Sequence, residues 1–107
     1  LYRDYVHPAD LAQLIACCSR NRPVNRAIEV YSCEPVSKTK VLKFCAREFG
    51  LRTTAVAPEF LKNPASSKVP NYYSTNRWAS SIGYQPEYSA EQAVAAVGHA
   101  ILSGKIL

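Results

Sequence analysis

The sequence predicts one small α/β unit with a few short strands and about four helices. Apolar residues recur at helical spacing in separate stretches of the 107-residue chain. Short β-branched or alternating runs lie between them, and Gly, Pro and Ser punctuate the junctions. With 48% apolar residues and four glycines, the composition is that of a folded segment with one modest core, a single domain over 1–107.

Taken in order, Tyr5-Val6-His7 reads as a short strand. Pro8 then opens a helix over 8–20, because the amide it lacks would go unpaired there anyway. Asp10 places negative charge in the positive first turn, and Leu11, Leu14, Ile15 and Cys18 form the expected buried stripe. Asn21-Arg22-Pro23 ends this helix. Residues 27–31 read as a strand, with Ile28 and Val30 on one face and Glu29 and Tyr31 on the other.

Ser37 is the expected N-cap of a second helix that runs to Phe49, with Gly50 as its left-handed stop. Val41, Phe44, Cys45 and Phe49 form its apolar side, and Lys38, Lys40, Lys43 and Arg47 its wet side. Residues 53–57 are a further strand candidate. Residues 58–73, with three prolines, read as an irregular binding loop. A short helix over 75–82 stops at Gly83. Ser89-Ala90-Glu91-Gln92 is a capping box opening a last helix with Ala93, Val94, Val97 and Ile101 on its buried face and Gly104 at its end. So few strands cannot close a sheet, so some apolar surface is expected to pack against a further domain or a second copy of the chain, a homo-oligomer.

The net charge of +5 comes from thirteen Lys/Arg against eight Asp/Glu. The basic residues are scattered, with Arg20, Arg22 and Arg26 around one loop. That pattern argues for a solvated surface first, a phosphate-ligand site second, and against nucleic acid. Cys17, Cys18, Cys33 and Cys45 include no C-x-x-C pair, so neither a zinc site nor a redox motif is supported; buried free thiols in a reducing, cytoplasmic setting are expected. No apolar run approaches the roughly 20 residues that cross a bilayer, so no membrane partner is expected.

Arg3-Asp4-Tyr5-Val6-His7-Pro8-Ala9-Asp10-Leu11-Ala12 resembles the R-D-[FY]-[IV]-H-x-x-D-[LV]-A signature of the extended short-chain dehydrogenase/reductase family, the NAD-dependent sugar-nucleotide epimerases and dehydratases. Residues 28–37 are similar to the family's N-[IVL]-G-x-G-x-x-[VIT]-S strand-turn-helix, with Ser32 and Glu34 in place of glycines. Residues 72–89 are similar to its closing L-G-[WY]-x-P-x-[YFT]-[ST] block. Together the three blocks span nearly the whole chain.

The resemblance implies the substrate-side C-terminal segment of a Rossmann-type enzyme acting on a nucleoside diphosphate sugar as epimerase, dehydratase or 4-ketoreductase. NAD or NADP would be held by an N-terminal domain absent from this chain. The segment would not be catalytically competent alone: no Tyr here has Lys four residues on, and so the family's Y-x-x-x-K pair is missing.

The resemblance assigns substrate contact to Arg3, whose guanidinium suits phosphate oxygens. The other reading pairs Arg3 with Asp4 or Asp10. Tyr72 lies where some relatives carry a substrate-facing Tyr, with packing as the alternative. The family's R-x-G-D clamp has no counterpart near 63–72, where Lys62 and Lys68 supply charge without a fork. Asp4, Asp10 and His7 read as structural, and Trp78 and Tyr84 as core or interface aromatics. The alternative function is a stand-alone binding or oligomerisation module without enzymatic activity.

Overall fold

The computed structural model describes residues 2–54 and 71–104. These form a small mixed α/β arrangement in the order β1 (Tyr2–Arg3), α1 (Pro8–Arg20), β2 (Val36–Ser37), α2 (Lys38–Phe49), a 3-10 helix (Trp78–Ile82) and α3 (Ala90–Ser103). β1 and β2 pair antiparallel, Tyr2 opposite Ser37 and Arg3 opposite Val36.

Local signals placed the helices. His7 caps α1 through its ring, Nδ1 accepting from the Ala9 amide at 2.9 Å, and Pro8 follows at the first position. The same ring stacks on Tyr88 with centroids 4.0 Å apart, so His7 is a structural residue. Ser37 Oγ accepts from the Lys40 amide at 3.1 Å, and Gly50 closes α2 with φ of 67°, a conformation that crowds any Cβ. The Ser89–Gln92 capping box is complete in both directions, at 2.9 and 3.2 Å.

The strands are corrected. Residues 5–7, 27–31 and 53–54 take no strand pairing; 55–57, with 58–70 of the expected loop, lie outside the described residues. The ladder lies instead at Tyr2–Arg3 and Val36–Ser37, and it stops there because Lys38 already begins α2. The alternation at 27–31 still sorts faces: Ile28 and Val30 lean on the core and Glu29 faces out, but Tyr31 is buried as well. Period-two patterning selects a face and cannot supply a neighbouring strand.

The fourth helix is 3-10 and begins at Trp78 rather than at 75. Ser74 Oγ accepts from the Asn76 amide (3.0 Å) and Asn76 Oδ1 from the Trp78 amide (2.9 Å). The second bond occupies the Trp78 amide, which a helix starting at 75 would pair with the Ser74 carbonyl, and that carbonyl accepts from Arg77 Nη1 instead.

The core gathers Leu14 and Cys17 of α1, Tyr31, Ala79 and Tyr84, with Cys18, Ile28, Val30 and Ile82 packed against it. The stripe expected on α1 is therefore displaced. Leu11 is exposed and Ile15 is 62% exposed, because the 3-10 helix and Tyr84 close on the Leu14–Cys17 side. Likewise Ile101 on α3 is 72% exposed, not buried. All four cysteines are free, but only Cys17 is fully buried and Cys33 is exposed.

Candidate functional site

Two carboxylates hold the chain's segments in place. Asp4 accepts from the Ser32 amide (2.9 Å) and from Ser32 Oγ, joining the end of β1 to the 28–32 segment. Asp10, 1% exposed, accepts from the amides of Glu87 (2.9 Å) and Tyr88 (3.1 Å), which ties α1 to the approach to α3. Both are structural, as their positions in the sequence implied, although their partners lie 28 and 77 or 78 residues away.

Along the other side of β1 runs the 71–74 segment. The Tyr2 amide donates to Asn71 Oδ1 (2.9 Å), the Tyr72 amide donates to the Tyr2 carbonyl (2.8 Å), and Arg3 and Tyr72 form a parallel bridge. The two residues expected to meet substrate are thus backbone neighbours. An open cleft of about 600 Å³ lies between residues 28–30 and 71–74, reaching Asp4 and Val6. Its polar groups are Asp4, Glu29, Asn71, Tyr72, Tyr73 and Ser74. Ser74 Oγ donates to Glu29 Oε2 at 2.7 Å across it.

Tyr72 forms part of the cleft wall and is 70% exposed. Arg3 stands beside the cleft, half-buried, with Nη1 donating to the Tyr2 carbonyl at 2.9 Å. Tyr84 is a core residue whose hydroxyl donates to the Tyr31 carbonyl at 2.5 Å. Trp78 is half-buried beneath the Arg26 guanidinium. Lys62 and Lys68 lie outside the described residues. The Glu29–Ser74 pair was not singled out in the sequence. The outward position of Glu29 in the 27–31 alternation was its one available signal.

Partial desolvation of the sulfur, with Asp10 and Asp4 nearby, pushes up the thiol of the otherwise exposed Cys33; its Sγ donates to the Pro86 carbonyl at 2.8 Å. Burial, with Asp10 next in weight, also pushes the Tyr84 phenol up. Both groups therefore hold their protons at neutral pH and serve as donors rather than nucleophiles. Among the described residues no three His, Cys, Asp or Glu side chains gather as a metal would require, and no helix is long and apolar enough to cross a membrane.

A second concavity, about 560 Å³ and almost wholly apolar, opens between α2 and α3 over Tyr5 and Val6. Phe49, Val94, Val97 and Ile101 line it. Compared with protein-family models, curated proteins and solved structures, the chain matches none.

The residues present do not fit a dinucleotide. Such a cofactor needs glycines in a strand-to-helix turn so that backbone amides approach the pyrophosphate. Here Gly50, Gly83 and Gly104 each end a helix, and Gly98 lies inside α3 against Phe49.

Proposed function

We propose that this chain is the substrate-side segment of an NAD(P)-dependent extended short-chain dehydrogenase/reductase that acts on a nucleoside diphosphate sugar, as epimerase, dehydratase or 4-ketoreductase, in the cytoplasm. Its part is recognition; hydride transfer and the nicotinamide cofactor belong to the N-terminal domain.

The observation that carries the reading is the bridge between Arg3 and Tyr72. Residues 69 apart in sequence, each assigned to substrate by the family resemblance, meet at the edge of one cleft. At about 600 Å³ the cleft is within the usual range for small-molecule sites. Saturation-transfer NMR with uridine, thymidine and guanosine diphosphate sugars tests it. Transfer to the sugar and base protons is expected, reduced by Tyr72→Ala and Arg3→Gln. Absence of transfer from all three ligands refutes the reading.

The apolar groove between α2 and α3 favours a second reading, a stand-alone binding or oligomerisation module. Sedimentation equilibrium separates the two: a folded, strictly monomeric chain across the micromolar range counts against self-association.

A further inference from the structure

Two exposed arginines sit over aromatic rings, and one of them, Arg77, bonds the backbone of Ser74 in the cleft wall. The Arg26 guanidinium is 4.0 Å from the centre of the Trp78 ring, and that of Arg77 is 4.1 Å from the centre of Tyr31. Arg77 is held further by Nη1, which donates to the carbonyls of Ser74 (2.8 Å) and Asn76 (3.3 Å). A ring contact of this kind fixes the plane of the guanidinium while leaving N–H groups along its edge for a ligand. The side chain is then ordered before binding, which removes part of the entropic cost of capturing an anion.

Among the described residues no carboxylate forms an ion pair with either guanidinium. The Glu29 carboxylate accepts from Ser74 Oγ, and the ion pair formed among the described residues is the distant Lys40–Glu91, at 3.2 Å. Trp78 follows Arg77 directly in the chain, so the ring beneath the Arg26 guanidinium belongs to the chain neighbour of Arg77.

We infer that Arg26 and Arg77 form an oxyanion site at the rim of the cleft, taking a phosphate-bearing ligand through its diphosphate group. Planar forks match the multiple oxygens of a diphosphate. The inference rests on these residues and stands apart from the nucleotide-sugar reading.

Trp78 is the single tryptophan of the chain, so its emission reports on the Arg26 contact. Inorganic pyrophosphate titrated at constant ionic strength is expected to change that emission saturably, and more tightly than orthophosphate. Arg26→Gln and Arg77→Gln should each weaken binding about tenfold or more. Arg26→Lys, which keeps the charge and loses the fork, should fall between. Arg47→Gln on α2 should change nothing.

Unsaturable titration, or glutamine variants that bind as the parent does, overturns the site. Amide shifts in the parent chain guard against misfolded variants: perturbation centred on 26–31 and 74–78 sustains the site, and perturbation elsewhere overturns it. Uridine diphosphate separates the two readings. Affinity equal to pyrophosphate sustains the anion site and counts against nucleotide entry into the cleft, whereas tighter binding sustains both. Binding of the nucleotide without pyrophosphate overturns the anion site alone.

Discussion

The two halves of this molecule use the same helix signals and reach different degrees of closure. Around α1 and the 3-10 helix, Leu14, Cys17, Tyr31, Ala79 and Tyr84 are all buried, and the buried Tyr84 hydroxyl finds the Tyr31 carbonyl. Helix α2 is as well capped as α1 yet has no buried residue. Its Phe44, Cys45 and Phe49 are only half-covered, and α3 leaves Ile101 and Leu102 exposed beside them. The contrast separates two contributions that are often merged. Caps and periodicity make a helix; burial needs a second surface brought from far along the chain. The α1 half has that surface in residues 79–88, held by Asp10. The α2–α3 half has an open groove where one would sit.

The largest effect should come from removing the tie that closes the first half. Asp10→Ala strands the amides of Glu87 and Tyr88, and urea unfolding should show a loss of about 3 kcal/mol. Asp10→Asn, which keeps one acceptor oxygen, should lose less. A loss as small as that of a surface mutant would mean that the two halves differ less than their burial indicates.

Tyr84→Phe comes next, at about 1.5 kcal/mol, because the Tyr31 carbonyl loses its partner inside the core. It also carries a pH signature. The folded state keeps the Tyr84 proton where an unfolded tyrosine, titrating at about 10, gives it up. Above that pH the unfolded chain binds fewer protons than the folded one, so stability falls as pH rises. Denaturant midpoints measured across the alkaline range should fall less steeply in Tyr84→Phe.

Ser89→Ala breaks the capping box of α3 and should cost about 1 kcal/mol by the same measurement, whatever covers the groove. The smallest effect is the most discriminating. A Cβ on Gly98 would stand 2.5 Å from Phe49 Cζ. With the groove open, the ring can swing aside and the gain in helix propensity offsets the strain, so Gly98→Ala should stay within about 0.5 kcal/mol. With a partner filling the groove, the cost should rise to about 1–3 kcal/mol.

What could be read in advance follows the range of the interactions. Pro8, Ser37, Gly50 and the Ser89–Gln92 box act within four residues, and each marked its helix end correctly. Strands failed at 5–7 and 27–31 because a ladder is a property of two segments, and alternation describes one. The α1 stripe failed for a related reason. Leu11, Leu14, Ile15 and Cys18 share the helical period, but which of them is covered depends on the side from which Tyr84 arrives, some seventy residues later.

The candidate site divides the same way. Arg3 and Tyr72 were legible from motif blocks, but their backbone bridge, the Glu29–Ser74 contact and the placing of Arg26 and Arg77 on Trp78 and Tyr31 were not. By itself the sequence determined the three α-helices and the caps at Pro8, Ser37, Gly50 and Ser89–Gln92, because those depend on neighbours in the chain. Only the tertiary structure decided which apolar faces close, which segments pair and which aromatic rings Arg26 and Arg77 sit over, because each requires loop closure between distant segments whose gain no local pattern encodes.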